Sequence, residues 1–299
     1  MYKILLAEKA GFCFGVKRAM AIAEETARAS KGEPVYTFGP LIHNPQAVSY
    51  LESIGILPVG SLDDIPPGKL IVRSHGLPPQ IIVLAKRKGF EIIDATCPFV
   101  RRAQDFAKTL LKEQYEVVVI GEADHPEVIG IVGHTGGKAT IIEDENDIEQ
   151  LRGKKNIGIV TQTTQSLEYF KFLVSRILEI GKEIRIFNTI CSATQERQDS
   201  TLKLAEKADI MFIIGGKNSA NTTHLTQLSQ ETGKPTHHIE FAHEINREWL
   251  KGKKIVGISA GASTPSYVIK EVVDYLEAIR NQADPSGSRS LYKEEVFNE

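Results

Sequence analysis

Short apolar runs alternate with amphipathic, helix-like stretches from one end of the chain to the other. The runs are "KILLA", "VYTFG", "KLIVRS", "EIIDAT", "EVVVIG", "ATIIE", "NIGIVTQ", "EIRIFNT", "DIMFIIG", "PTHHIE" and "KIVGISA". Most are continuously apolar. A strand with one wet face alternates, whereas a strand covered on both faces does not. The segments between them, such as "VKRAMAIAEETARAS" and "SLEYFKFLVSRILEIG", carry apolar residues at helical spacing. Strand and helix in repeated succession predict an α/β architecture with parallel sheets.

Three cysteines divide this alternation into similar blocks. Cys13, Cys97 and Cys191 each follow a strand-like run and precede a helical stretch, as in "YKILLAEKAGFCFGVKRA", "FEIIDATCPFVRRAQ" and "EIRIFNTICSATQERQ". The last block lacks a closing strand and cysteine, and the N-terminal segment has that form. We therefore expect three quasi-equivalent parallel-sheet α/β units: residues 14–97, 98–191, and 192–282 completed by 1–13. The stretch 283–299, with "DPSGSRS", has no periodicity and reads as a flexible C-terminal tail.

Six polar loops recur at matching places in the blocks. "GPLIHNP" (39–45), "GEADHPEV" (121–128) and "GGKNSANT" (215–222) follow the first strand of each, and "RSHGLPP" (73–79), "TQTTQS" (161–166) and "SAGASTP" (259–265) follow a later one. Such composition is also ordinary turn chemistry. Ligands of open α/β sheets bind beyond the carboxyl ends of strands, so repetition of these loops points to one cavity.

The 299 residues carry a net charge of −2, which gives no basic excess to hold a polyanion. No apolar run reaches the roughly 20 residues that span a bilayer. Met1 leads almost directly into "YKILLA", with no signal-peptide pattern. Three cysteines, an odd number without a CxxC pair, argue against a disulfide framework and for a reducing, cytoplasmic setting.

Three converging thiolates suit a metal site. Structural zinc sites usually show local CxxC or HxxxH pairs, which are missing here, whereas an iron–sulfur cluster takes ligands from distant segments. Three inert, buried cysteines are the plain alternative. Lys17, Arg18, Arg101 and Arg102 follow the first two cysteines and can balance thiolate charge or simply face solvent. His43, His75 and His125 lie in three of the loops, where imidazolium can pair with phosphate oxygens. "GGKNSANTTHL" adds donors at a helix start, a favourable place for an anion. Glu127 follows His125 by two residues. An enclosed carboxyl there can act as a proton donor, and an acid after Pro126 is also a favoured helix N-terminus.

In this order, "AGFCFGVKRA", "LIHNP", "SHG", "DATCP", "HPEV", "QTTQS", "NTICSAT", "GGKNSANT" and "SAGASTP" resemble the signatures of the 4-hydroxy-3-methylbut-2-enyl diphosphate reductase family, over about residues 1–282. That family closes the non-mevalonate isoprenoid route. The resemblance implies three α/β units around a central [4Fe–4S] cluster, seen as [3Fe–4S] after loss of the open iron. Its ligands match Cys13, Cys97 and Cys191. It implies reductive loss of the substrate hydroxyl with two electrons and two protons, giving isopentenyl or dimethylallyl diphosphate. The diphosphate ligands match His43, His75, His125, Ser219, Asn221 and Ser263. The acid matches Glu127, and Thr163 matches a residue near the substrate hydroxyl. Ferredoxin or flavodoxin is the implied electron donor. One departure is Ala220, where many relatives carry a serine that contacts the diphosphate. A zinc-dependent hydrolase of a phosphorylated metabolite and a non-catalytic binding module for one are the rival readings.

Overall fold

The computed structural model describes residues 2–283. Among them are twelve strands and nine α-helices in alternation, with three short 3₁₀ turns. The chain divides into two compact units, Cys13–Gln195 and Met1–Phe12 with Glu196–Glu299.

The first of these units holds two four-stranded parallel sheets. One has β2 (Val35–Phe38), β3 (Ile56–Val59), β4 (Lys69–Val72) and β5 (Glu91–Asp94) in the order β3-β2-β4-β5. The other has β6 (Glu116–Ile120), β7 (Thr140–Ile142), β8 (Asn156–Thr161) and β9 (Glu183–Ile186) in the order β7-β6-β8-β9. In the second unit β10 (Ile210–Ile214), β11 (Thr236–Ile239) and β12 (Ile255–Ala260) are joined by β1 (Lys3–Leu6), which pairs parallel with β12 from Lys3 beside Ile255 to Leu6 beside Ile258.

All three sheets share one topology. The first and third strands of each block lie side by side at the centre, with the second and fourth at the edges. The N-terminal strand therefore takes the fourth place in the last sheet, as the block pattern predicts. The chain reverses its direction of winding between the two central strands, which is the switch point where such sheets bind ligands. All six polar loops begin at the ends of those central strands.

Burial on both faces explains the unbroken apolar runs. In β6, Val118 and Ile120 pack into one cluster with Ile157, Ile159 and Leu173, while Val117 and Val119 pack into another with Ala107, Leu110 and Ile131. In β10, Phe212 and Ile214 join one cluster while Met211 and Ile213 join the opposite one. Each such side chain contributes about 1.5–3 kcal/mol through burial.

One strand escapes sequence reading. β3, "ILPV", contains Pro58, which cannot donate to a ladder, and only Ile56 of its four residues is buried. Proline is tolerated there because β3 is an edge strand. The tail expected over 283–299 lies, apart from its first residue, outside the described residues. Among those described, no helix is long and apolar enough to cross a membrane.

Candidate active site

Cys13, Cys97 and Cys191 all belong to the unit Cys13–Gln195. Cys13 and Cys97 occupy the N-cap positions of α1 (Phe14–Ala29) and α4 (Pro98–Lys112), and Cys191 immediately precedes α7 (Ser192–Lys207). The two capped helix starts touch. A Cβ on Gly15 would lie 2.5 Å from the Cys97 Sγ, too close, and 3.9 Å from the Cys13 Sγ, in ordinary contact, so glycine is what leaves the Cys97 sulfur room. None of the three cysteines forms a disulfide with another. Burial pushes the Cys97 thiol up to about 11, against the N–H groups of Phe99 and Val100, and the nearby Cys13 and Cys191 add to the rise. Thiols this close, with no acid among their first-turn neighbours, fit a cofactor that replaces the protons with metal charge.

Two of these cysteines are anchored to the polar loops. The Cys97 N–H donates to Ser74 O at 2.9 Å, one residue before His75, and the Cys191 N–H donates to Thr163 O at 3.0 Å. The neighbouring Thr194 hydroxyl also donates to Thr163 O, at 3.1 Å. Each thiol is thus fixed to a loop that carries a candidate substrate residue.

His43, His75 and His125 converge. Their ring centroids lie 4.4 Å (His43–His75), 5.6 Å (His43–His125) and 5.6 Å (His75–His125) apart. One ring nitrogen from each falls within 4.8 Å of the others. Elements set each ring. His43 precedes Asn44, whose side chain caps α2 (Pro45–Ser53) by accepting from Ala47 N–H at 2.9 Å. His125 caps α5 (Pro126–His134), its Nδ1 accepting from Glu127 N–H at 3.1 Å. The neutral ring then carries its proton on Nε2.

The charge of these rings differs from the imidazolium read from sequence. Burial lowers His43 to about 4, with Arg73 adding to the effect. Burial also takes His75 well below its ordinary value, helped by His43, His125 and Arg73. Three rings in contact cannot all be cationic without a counter-ion. Arg73 is the residue that sequence reading passed over. It stands beside His75 in "RSHG" and supplies the positive charge that the neutral histidines lack. His75 Nδ1 is buried with no hydrogen-bond partner among the described residues, which suits an incoming anion.

Glu127 is 1% exposed, unlike the exposed Glu122 and Asp124 of the same loop. Its Oε1 accepts from Thr163 N–H at 2.7 Å and its Oε2 from the Thr163 hydroxyl at 2.8 Å. Burial raises the carboxyl to about 7, and the two Thr163 bonds hold it from rising further. A group poised there can give or take a proton near neutrality.

In the other unit, Ser219, Asn221 and Ser263 are all buried. Ser219 caps α8 (Ala220–Glu231), accepting from Thr222 N–H at 3.4 Å. Asn221 Oδ1 accepts from Ala262 N–H at 2.9 Å, tying together the loops after β10 and β12. Asn221 Nδ2 is buried without a hydrogen-bond partner among the described residues. Ala220 is the first residue of α8 and offers only its backbone N–H.

The basic residues after the cysteines do not surround the thiols as a group. Lys17, Arg101 and Arg102 are exposed, and Arg101 pairs with Asp94. Arg18 donates to Thr96 O at 3.1 Å.

The sequence profile of the LytB protein family matches residues 4–277. A 4-hydroxy-3-methylbut-2-enyl diphosphate reductase of Geobacter sp. (strain M21) is 47% identical, over 93% of this chain and 98% of that protein. The protein of the same name from Aquifex aeolicus (strain VF5) is 46% identical, over 93% of this chain and 97% of its own. A solved structure of (E)-4-hydroxy-3-methyl-but-2-enyl diphosphate reductase, described as the terminal enzyme of the non-mevalonate pathway, superposes with a TM-score of 0.69 at 46% identity, covering 93% of this chain and 100% of that one. The E-1-hydroxy-2-methyl-but-2-enyl-4-diphosphate reductase of Plasmodium falciparum superposes with a TM-score of 0.87 at 29% identity, covering 99% and 96%.

Proposed function

The chain belongs to the LytB protein family, and from this premise we propose that it reduces (E)-4-hydroxy-3-methylbut-2-enyl diphosphate to isopentenyl and dimethylallyl diphosphate. The substrate alcohol, two electrons and two protons give the allylic product and one water. The reaction is the last of the non-mevalonate isoprenoid route, and a cytoplasmic setting suits it.

One observation carries this reading. A single compact unit brings together three cysteines, three imidazoles and one buried acid, and backbone hydrogen bonds tie Cys97 and Cys191 to the substrate loops. Cys13, Cys97 and Cys191 would hold a [4Fe–4S] cluster, or a [3Fe–4S] form where the iron that no cysteine ligates is lost. When bound, the cluster supplies electrons and a Lewis-acidic iron for the substrate oxygen.

The chain's own groups do the rest. His43, His75 and His125, with Arg73 beside them, hold the diphosphate and take up positive charge as it binds. Ser219, Asn221 and Ser263 keep the diphosphate contacts that their motifs imply. Glu127, protonated up to about neutral pH, gives its proton through the Thr163 hydroxyl, which it already contacts. The water-poor surroundings of Glu127 keep that proton from bulk exchange. Ferredoxin or flavodoxin provides the electrons.

The histidine triad also meets the ligand count of a catalytic zinc site, so a zinc-dependent hydrolase is the second reading. Family membership favours the reductase. Anaerobic purification, with iron, sulfide and zinc analysis and turnover under a viologen reductant, separates them. Iron with acid-labile sulfide, and isoprenoid diphosphates as products, are expected. Stoichiometric zinc and no reductive turnover would overturn the proposal. Replacing Cys13, Cys97 or Cys191 by serine should each lower iron content and turnover together.

A further inference from the structure

Phe14 is 63% exposed, the most exposed large hydrophobic side chain among the described residues. It sits beside Cys13, at the first position of α1. An isolated exposed apolar side chain needs no explanation, but the surroundings of this one are unusual. The start of α1 packs against the start of α4, through Gly15 on Cys97 and Arg18 on Thr96 O. Neither helix has an acid in its first turn. Instead α1 continues with Lys17 and Arg18, and α4 with Arg101 and Arg102. Lys17 and Arg101 are the fourth residues of their helices, where a cation opposes the helix dipole, and Arg18 and Arg102 follow them. Lys17, Arg101 and Arg102 are exposed; Arg101 pairs with Asp94, and Arg102 lies over the Phe106 ring at 5.2 Å and has no acid to pair with among the ion pairs of the described residues. Beneath the same helix starts lie the Cys13 and Cys97 sulfurs.

We propose that these two adjoining helix starts, which carry Phe14, Lys17, Arg101 and Arg102, receive the acidic one-electron carrier protein that reduces the cluster. The inference rests on the reductase reading. Two encounters serve each turnover. In each, the reduced carrier loses one electron and leaves oxidised, and the two electrons with two protons convert the substrate alcohol to product and water. An exposed aromatic among cations suits a small, transient interface, of the kind that buries less than about 1,200 Å². The cations raise the encounter rate with an acidic partner and make it fall with salt. The apolar ring excludes water next to a cluster ligand.

The test uses the anaerobically reconstituted holoenzyme and a plant-type acidic ferredoxin as probe. The variants are Phe14→Ala and the pair Lys17→Glu with Arg102→Glu, all at exposed positions. A control pair, Lys253→Glu with Lys254→Glu, alters a second cationic region, the rim of a 620 Å³ groove floored by Tyr2, Leu250 and Ile279. Ferredoxin binding is read by calorimetry, and turnover is read with reduced ferredoxin and separately with reduced methyl viologen. The charge-reversed pair should weaken ferredoxin binding at least tenfold and flatten its salt dependence, with iron content and viologen-driven turnover kept. Phe14→Ala should lower ferredoxin-driven kcat/KM several-fold. Unchanged binding in both variants, or an equal loss in the control pair, overturns the proposal. An equal loss of viologen-driven turnover also overturns it, since the cations would then serve the cofactor. If the wild type fails to turn over with viologen, the reductase reading falls, while the binding measurements still decide the surface.

Discussion

Glu127 grips Thr163 twice, one carboxylate oxygen on the backbone N–H and the other on the hydroxyl. The carbonyl of the same threonine accepts the N–H of Cys191. The Glu127 carboxyl, the Thr163 hydroxyl and the Cys191 backbone are therefore joined in one chain of bonds. Glu127→Gln preserves this arrangement, because a glutamine amide can accept from the N–H and donate to the hydroxyl as a protonated carboxyl does. It removes only the titratable proton. General acid catalysis is worth roughly 10²–10⁴-fold, so kcat should fall by that order. Substrate affinity, read from the perturbed cluster spectrum, should hold below pH 7, where the carboxyl is already neutral, and tighten slightly above it, where a negative charge is lost. A large loss of affinity with kcat unchanged would instead make Glu127 a binding residue.

The pH profile follows from the sign of the shift. Burial lifts Glu127 to about 7, so the acid form persists to neutrality and turnover should decline above it. Stability carries the same sign. A carboxyl whose folded pKa is raised supports the fold while protonated, fully below its ordinary value of 4.5 and less as pH rises through about 7. Glu127→Gln should therefore resist denaturant better than the parent at pH 8 and show no such gain at pH 4.5.

Thr163 offers a finer test. Its hydroxyl favours the charged carboxylate, so Thr163→Val should lower turnover through loss of the relay and, in the activity that is left, raise the Glu127 pKa and move the descending limb of the rate profile to higher pH. Thr163→Ser keeps the hydroxyl and should keep the limb in place. Both variants retain the backbone N–H bond and the carbonyl link to Cys191. A profile that moves equally in both would mean packing, not the hydroxyl bond, sets the acid.

The histidines predict proton uptake on binding. With His43 lowered to about 4 and His75 held well below its ordinary value, both by burial, both rings are neutral near pH 7 in the free protein. A bound diphosphate supplies the missing counter-charge and raises them. Inorganic pyrophosphate should bind more tightly as pH falls from 8 to 6, and calorimetry in buffers of differing ionisation heat should detect protons taken up. His75→Asn should reduce that uptake. Binding without proton exchange would mean that Arg73 and neutral N–H donors suffice.

Much of this was legible in the sequence, for identifiable reasons. The pairing of β1 with β12 follows from a block that lacked its last strand, even though strand and partner lie at opposite ends of the chain. The cysteine context foretold thiols at helix starts, because strand, cysteine and helix recur in order. Pro58 hid β3, since local chemistry argues against a strand that only an edge position permits. The charge of the histidines was hidden for a different reason. Protonation depends on burial and on ring-to-ring distance, and both arise from loops more than thirty residues apart. The partnership of Glu127 with Thr163 spans 36 residues and has no local signal.

Gly15 gives the sharpest test of the thiol site. Alanine is the better helix former by about 1 kcal/mol, which offsets the 3.2 Å approach of the added Cβ to the Cys97 Cβ, so Gly15→Ala should leave the metal-free protein about as stable as the parent. The added methyl would fall 2.5 Å from the Cys97 sulfur. A free thiol can rotate away from it, but a thiolate bound to iron cannot. The variant should fold normally and yet take up much less iron and sulfide on anaerobic reconstitution, with turnover falling in proportion to cluster content. Melting curves of the metal-free protein, set beside iron and sulfide analysis, separate the two effects. Full cluster loading in Gly15→Ala would mean that the Cys97 sulfur points elsewhere when it serves as a ligand.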